Sequence, residues 1–140
     1  MKRLATFAAV SLAALLVASC GTSNNSSFCP DLATDAVLPA PIFTPGGLWD
    51  VTYTVAATGG ATIGSIQYRD TAGVLITVNS PALPWVYTMT GKPAGTRVTV
   101  SASASAPPGW VTVDVDAVTG PSGARETQSW GDACGDLPVL

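Results

Sequence analysis

From Leu48 onward apolar and polar side chains alternate with a period of two. Trp49, Val51, Tyr53 and Val55 fall on one face, with Asp50, Thr52 and Thr54 on the other, the signature of a half-buried strand. After Gly59-Gly60, Ile63 on one side and Ile66 and Tyr68 on the other change parity across Gly64-Ser65, which predicts a second strand with a bulge near Gly64. Asp70-Thr71-Ala72-Gly73 is a turn signal, and Val74, Ile76 and Val78 resume the alternation, so residues 61–79 are expected to form a hairpin. Asn79-Ser80-Pro81 ends it. Trp85, Tyr87 and Met89 alternate after Leu83-Pro84, and the chain turns again over residues 91–95. Val98, Val100, Ala102 and Ala104 mark the next strand, and Val111, Val113, Val115 and Ala117 the one after Pro107-Pro108-Gly109. A last strand spans about residues 124–130.

Seven short strands, separated by turn signals every ten or so residues and without any helical period, predict an all-β fold. The expected architecture is an immunoglobulin-like antiparallel β-sandwich, with a small closed barrel as the alternative. Residues 30–47 hold Pro30, Pro39, Pro41 and Pro45 with Gly46 and Gly47, which excludes a long helix or a central strand. They are read as an extended lead-in, and the β-sandwich domain is placed at residues 48–140. No internal repeat of solenoid or propeller length is visible.

The amino-terminal segment has a different character. Lys2 and Arg3 precede an apolar run from Leu4 to Val17 that closes on Val17-Ala18-Ser19-Cys20, the three-part layout of an export signal. Cys20 at the cut position resembles the lipobox of bacterial lipoproteins. That resemblance implies a diacylglyceryl group on the Cys20 thiol and cleavage before it, so residues 1–19 are read as a lipoprotein signal peptide. The other readings are an ordinary secretory signal with an incidental cysteine, or an uncut anchor; the run is shorter than the about 20 residues a membrane span needs. Residues 21–27, Gly-Thr-Ser-Asn-Asn-Ser-Ser, read as a flexible tether with a reach on the order of 15 Å. Residues 20–47 thus comprise the lipidated cysteine, the tether and the Pro-rich lead-in, and two or three acyl chains make such anchoring stable.

Removal of residues 1–19 leaves Arg69, Lys92, Arg97 and Arg125 against nine acidic residues, a net charge of −5. With no basic run or face to neutralise phosphates, nucleic acid is excluded as a partner. The remaining 121 residues fit one domain with a single core. With Cys20 committed to lipid, Cys29 and Cys134 are the only other thiols, and outside the cytoplasmic membrane they are expected to pair. Two free thiols or a metal site is the alternative, although two cysteines with no histidine make a poor zinc shell.

Val51-Thr52-Tyr53-Thr54-Val55, then Ile66-Gln67-Tyr68-Arg69-Asp70 with Gly73, then Leu83-Pro84-Trp85, follow one another in an order and spacing that resemble the extracytoplasmic domain of the MmpS family of actinobacterial membrane proteins. The resemblance covers roughly residues 49–118. It implies a small β-sandwich and an accessory role beside large exporters of lipids or siderophores. The chain departs from the family in two ways. Members usually carry an uncleaved transmembrane helix where this chain has a lipobox, and they commonly pair two cysteines near the last two strands, where residues 110–113 here hold none. The matching residues, Tyr68, Asp70, Gly73, Pro84 and Trp85, are of the kind a turn and a core demand, and fold alone does not carry function.

Histidine is absent from the chain, which removes Ser-His-Asp and Cys-His catalysis and the usual zinc and iron sites. A Ser-Lys dyad would have to use Lys92, which lies in a Pro/Gly turn and reads as a solvated charge. Asp114 and Asp116 share one strand face at a spacing that could suit a carboxylate pair, but a polar strand face toward water explains them as well. These two, or Asp132 with Asp136, could offer oxygen ligands to calcium, yet neither pair matches a spaced acidic calcium loop. Asp70 reads as a turn-capping residue. No cofactor or metal is expected.

Of the four tryptophans, Trp49 and Trp85 sit in apolar alternation and are expected in the core. Trp110, after a Pro-Pro-Gly turn, and Trp130, among polar residues, are the candidates for contact with a ligand or partner. The expected function is a non-catalytic, lipid-anchored envelope protein whose β-sandwich presents a binding or scaffolding surface, an accessory to a membrane exporter. The alternative is a carbohydrate-binding or adhesive module with a glycan partner. Its place is the extracytoplasmic side of the cell membrane or outer membrane.

Overall fold

A computed structural model describes residues 28–105, 109–120 and 125–135. The predicted signal peptide, Cys20, the tether and Asp136 lie outside the described residues. Eight strands follow one another: β1 (Phe28–Val37), β2 (Trp49–Ala57), β3 (Thr62–Arg69), β4 (Leu75–Asn79), β5 (Trp85–Lys92), β6 (Arg97–Ser105), β7 (Trp110–Thr119) and β8 (Glu126–Gly135). They form two four-stranded antiparallel sheets, β1-β6-β3-β4 and β5-β2-β7-β8. The all-β sandwich is therefore as the alternation predicts, two separate sheets rather than a closed barrel.

One element differs from expectation. Residues 28–37, read as part of an unpaired lead-in, form β1, whose register with β6 runs from Phe28↔Ser105 to Val37↔Arg97. Pro30 is tolerated because β1 is an edge strand and its register shifts between Cys29 and Leu32. The extra strand raises the count from seven to eight and moves the start of the sandwich into the segment assigned to the lead-in.

The core follows from the period of two. On β2, Trp49, Val51, Tyr53 and Val55 are fully buried, and on β7 Val111, Val113, Val115 and Ala117 are too. Ile66, Val98 and Val100 meet them from the other sheet. Burial of a Val or Ile side chain stabilises by about 1.5–3 kcal/mol relative to exposure, so these two facing stripes dominate the stability. The parity change at Gly64 is a register shift in the β3–β6 ladder between Ile63 and Ser65. The β3–β4 turn is held by Asp70, whose carboxylate accepts the Ala72 and Val74 N–H groups at 2.9 and 2.8 Å, while Gly73 takes φ +79°, a conformation that costs other residues about 1 kcal/mol.

The two sheets close differently along their sides. β1 lies against β8, and Thr34 crosses the interface to donate to the Val113 carbonyl at 3.2 Å. On the other side, between β4 and β5, aromatic rings fill the gap. Tyr68 packs on Tyr87 and Trp85 with centroids 4.5 and 4.9 Å apart, and Tyr87 lies between Tyr53 and Trp85 at 6.2 Å from each. Trp85, expected in the core, is half-buried there with Ile76, Val78 and Leu83.

Candidate functional site

The strand directions sort the molecule into two ends. Phe28, the β2–β3 turn and the start of β7 lie at one end, where Thr58 N–H donates to the Trp110 carbonyl at 2.8 Å. A tether running from Cys20 would join the domain here. The opposite end gathers the 38–48 loop, the β3–β4 turn, the β5–β6 turn, the end of β7 and the start of β8.

Apolar surface is concentrated at that far end. Ile42 is 74 % exposed and Phe43 68 %, and Val37, Leu48, Val74 and Leu75 are exposed beside them or on the adjacent hairpin. Among the described large hydrophobic residues that are exposed, only Val86 lies away from this end. The loop that carries Ile42 and Phe43 is not loosely held. Leu38 N–H donates to Thr96 O at 3.0 Å and Gly95 N–H to Leu38 O at 2.8 Å. Trp49 Nε1 donates to Pro39 O at 2.9 Å, Ile42 N–H to the buried Glu126 carboxylate at 2.8 Å, and Thr119 Oγ1 to Leu48 O at 2.6 Å. Gly47 is needed for the tight turn, because a Cβ there would come within 2.6 Å of Thr44 Oγ1. The backbone is pinned at five points while its two largest apolar side chains face solvent, a pattern that marks an interaction surface rather than unpacked core.

The four basic residues outside the first nineteen all lie at this end as well. Arg97 is ion-paired with Asp35, whose carboxyl is held down to about 2, first by the Arg97 hydrogen bond and further by Thr99 Oγ1. Lys92 donates to the Thr71 carbonyl and Arg69 to that of Gly73, so both brace the β3–β4 turn. Arg125 borders a shallow depression of about 320 Å³ with Leu48, Asp50, Thr52, Val118 and Thr119. Asp114 and Asp116 on β7 and Asp132 on β8 lie nearer the middle of that sheet.

The tryptophans proposed for contact are not brought together. Trp110 alternates with buried Val111 and so faces outward, whereas Trp130 stands opposite Val115 and turns inward against the core. Both are half-buried. Asp114 and Asp116 do share the outer face of β7. Asp116 accepts from Ser129 Oγ at 2.5 Å, and Asp114 lies so close over Gly131 that a Cβ there would approach its carboxylate to 2.5 Å. They stand opposite Thr54 and Thr52 of β2. Asp132 accepts the Ala33 N–H at 3.3 Å and its neighbour Ala133's at 2.9 Å, which links β8 to β1. Among the described residues no three Cys, Asp or Glu side chains gather as a metal site would require.

Sequence reasoning missed the far-end surface because Ile42 and Phe43 sit in a Pro-rich stretch with no period to read. The signal that could have found it is the pair of adjacent large hydrophobics between Pro41 and Pro45, where a chain without regular structure has no face to hide them. No protein-family model matches the chain, nor does any curated protein or solved structure.

Proposed function

We propose that the chain is a non-catalytic, lipid-anchored envelope protein whose β-sandwich presents its far end, built around Ile42, Phe43 and Leu48, to a neighbouring envelope protein, as an accessory to a membrane exporter. The observation that carries this reading is the polarity of the domain. The described strands begin at Phe28, where the proposed tether would join, and the rigid, apolar surface lies at the other end of strands about ten residues long. Such a strand spans about 30 Å, which keeps this surface clear of the anchor.

We also infer that Cys29 and Cys134 pair. Cys29 lies on β1 and Cys134 on β8, both toward the tether end, and these two edge strands touch across the sandwich. Closing a loop of about 100 residues stabilises by about 4–5 kcal/mol in the chain-entropy picture. The carbohydrate reading has less support, since Trp110 and Trp130 stand on opposite faces of their sheet and form no common stacking platform.

The test is recovery of partners from mild-detergent membranes of the native host, read by mass spectrometry, with the native chain, Cys20→Ala and a Phe43→Ser variant compared. Recovery of an exporter by the native chain, lost with Phe43→Ser and reduced with Cys20→Ala, supports the reading. Recovery unchanged by Phe43→Ser removes the far end from it, and an unmodified Cys20 thiol removes the anchor.

A further inference from the structure

The four sheet edges are not alike. β1 carries Pro30, a register shift between Cys29 and Leu32, and the Asp35–Arg97 pair. β8 carries Gly131 and the core-side Asp132 opposite Val113. β5 starts after Pro84 and is bulged near Gly91, which takes φ +68°, before ending on Lys92. These are the devices that stop a strand from pairing with another chain. β4, Leu75-Ile76-Thr77-Val78-Asn79, has none of them: no charge, no proline, no glycine and no break in its ladder with β3.

The outward-facing groups of β4 follow from its ladder. Asp70 N–H donates to Val74 O and Ser80 N–H to Gly64 O. Hydrogen-bonded pairs alternate along an antiparallel ladder, so the even-numbered residues of β4 bond to β3. The N–H and C=O groups of Leu75, Thr77 and Asn79 therefore point away from the sheet. We propose that β4 is a self-pairing edge, through which two copies of this chain join antiparallel about a two-fold axis at Thr77.

In that register Thr77 faces Thr77 of the second copy, Leu75 faces Asn79, and Ile76 faces Val78. Each of Leu75, Thr77 and Asn79 donates and accepts one main-chain bond, so every outward group of the strand is matched. A Thr–Thr pair is favourable in directly opposed strands, and no like charges meet. An isologous contact of this kind closes on itself and does not propagate. The half-buried Ile76, Val78, Trp85 and Tyr87 lie along the same side and gain cover.

The register selects a second copy as the occupant, because β4 laid antiparallel on itself opposes only uncharged residues. Two copies of this acidic chain repel, and among the described residues the carboxylates lie on β1, β2, β7 and β8, with Asp70 in the β3–β4 turn; β3, β4 and β5 contain none. The β4 side is thus where two copies meet with least repulsion. Arg69 neighbours Leu75, which meets Asn79 of the other copy, so the two Arg69 side chains stand at opposite ends of the joint. The axis is perpendicular to the sheet and reverses the strands, so the Phe28 ends of the two copies lie at opposite ends of the joint; the pairing does not rest on the anchoring reading.

The test uses the full chain purified in mild detergent from whichever fraction of its native host holds it, with mass per particle measured by light scattering. Two copies are expected for the native chain. Thr77→Lys sets two ammonium groups face to face, and Thr77→Pro deletes an outward N–H without touching the β3–β4 ladder; both are expected to give single copies with unchanged circular dichroism. If Thr77→Pro fails to fold, Thr77→Lys decides. Thr77→Cys is expected to give a reducible covalent pair, and Ser103→Cys, exposed on the middle strand β6, is not. A native chain that remains single, a pair that survives Thr77→Lys, or a foreign chain bound one-to-one at β4 overturns the proposal.

Discussion

Trp130 on β8 stands directly opposite the fully buried Val115 on β7, and this pairing, not its polar sequence neighbours, decides where the indole goes. Residues directly opposed in an antiparallel ladder share a face, so Trp130 packs on the core while Trp110, one strand away and of the other parity, does not. Trp130→Ala is expected to destabilise the domain by about 2 kcal/mol, below the full cost for a completely buried aromatic. Trp110→Ala should cost about 1 kcal/mol or less. Urea unfolding of the two variants measures both, and equal losses would contradict the assignment of faces.

The β3–β4 turn makes a second prediction, about local chemistry. Asp70 accepts two main-chain N–H groups, and Gly73 holds a left-handed φ. Asp70→Ala is expected to cost about 1–2 kcal/mol, near the range for hydrogen bonds to a charged group at an exposed site, and Gly73→Ala about 1 kcal/mol. Because the two act on one turn, the double variant should lose less than the sum of the two. Additive losses in a double-mutant cycle would show that they act independently.

Both cases show what the sequence discloses and what it hides. The Gly64 bulge, the Asp70 turn and the facing valine stripes were legible because each rests on contacts near in sequence or on strict alternation. β1 was not, because Pro30 and the prolines that follow obscure a strand whose ladder partner, β6, lies some seventy residues away in the chain. The orientation of Trp130 was hidden for a similar reason: on an edge strand with Gly131 and Asp132 beside it, parity is set by the partner strand. At the candidate surface, the absence of histidine was readable from composition, but the pinning of Ile42 by Glu126 joins residues 84 apart and follows only from the fold.

Alkaline pH tests the interior. The Tyr53 hydroxyl is fully buried with no well-formed hydrogen bond, and burial pushes its pKa up to about 12, with the Thr99 main chain acting in the opposite direction. An unfolded tyrosine loses its proton near pH 10. Above that pH the unfolded chain binds fewer protons than the folded one, so stability falls as pH rises from about 10 to 12. Tyr68, also raised by burial, adds to this fall, and Tyr53→Phe removes the Tyr53 share. It is expected to be neutral or stabilising at pH 7, since the lost hydroxyl is unpaired, and to flatten the decline between pH 10 and 12. Thermal midpoints of both proteins across that window check it; parallel curves would assign the decline to other groups.

The far-end loop separates two roles that a single substitution would confuse. Phe43 displays surface, and Glu126 holds the backbone that displays it, accepting the Ile42 N–H from a position only 8 % exposed. Phe43→Ser changes a side chain already mostly in water, so stability should stay within about 0.5 kcal/mol while partner recovery falls. Glu126→Ala strands the Ile42 donor and is expected to cost about 1–3 kcal/mol. Its mark is local: amide exchange should quicken across residues 38–48 and not in β2 or β7, since a segment that loses its few anchoring bonds opens without the core. Uniform acceleration across the domain would mean that Glu126 supports the whole fold. Quickening confined to the loop, together with weakened partner recovery, would show that the rigidity of this surface is part of its function.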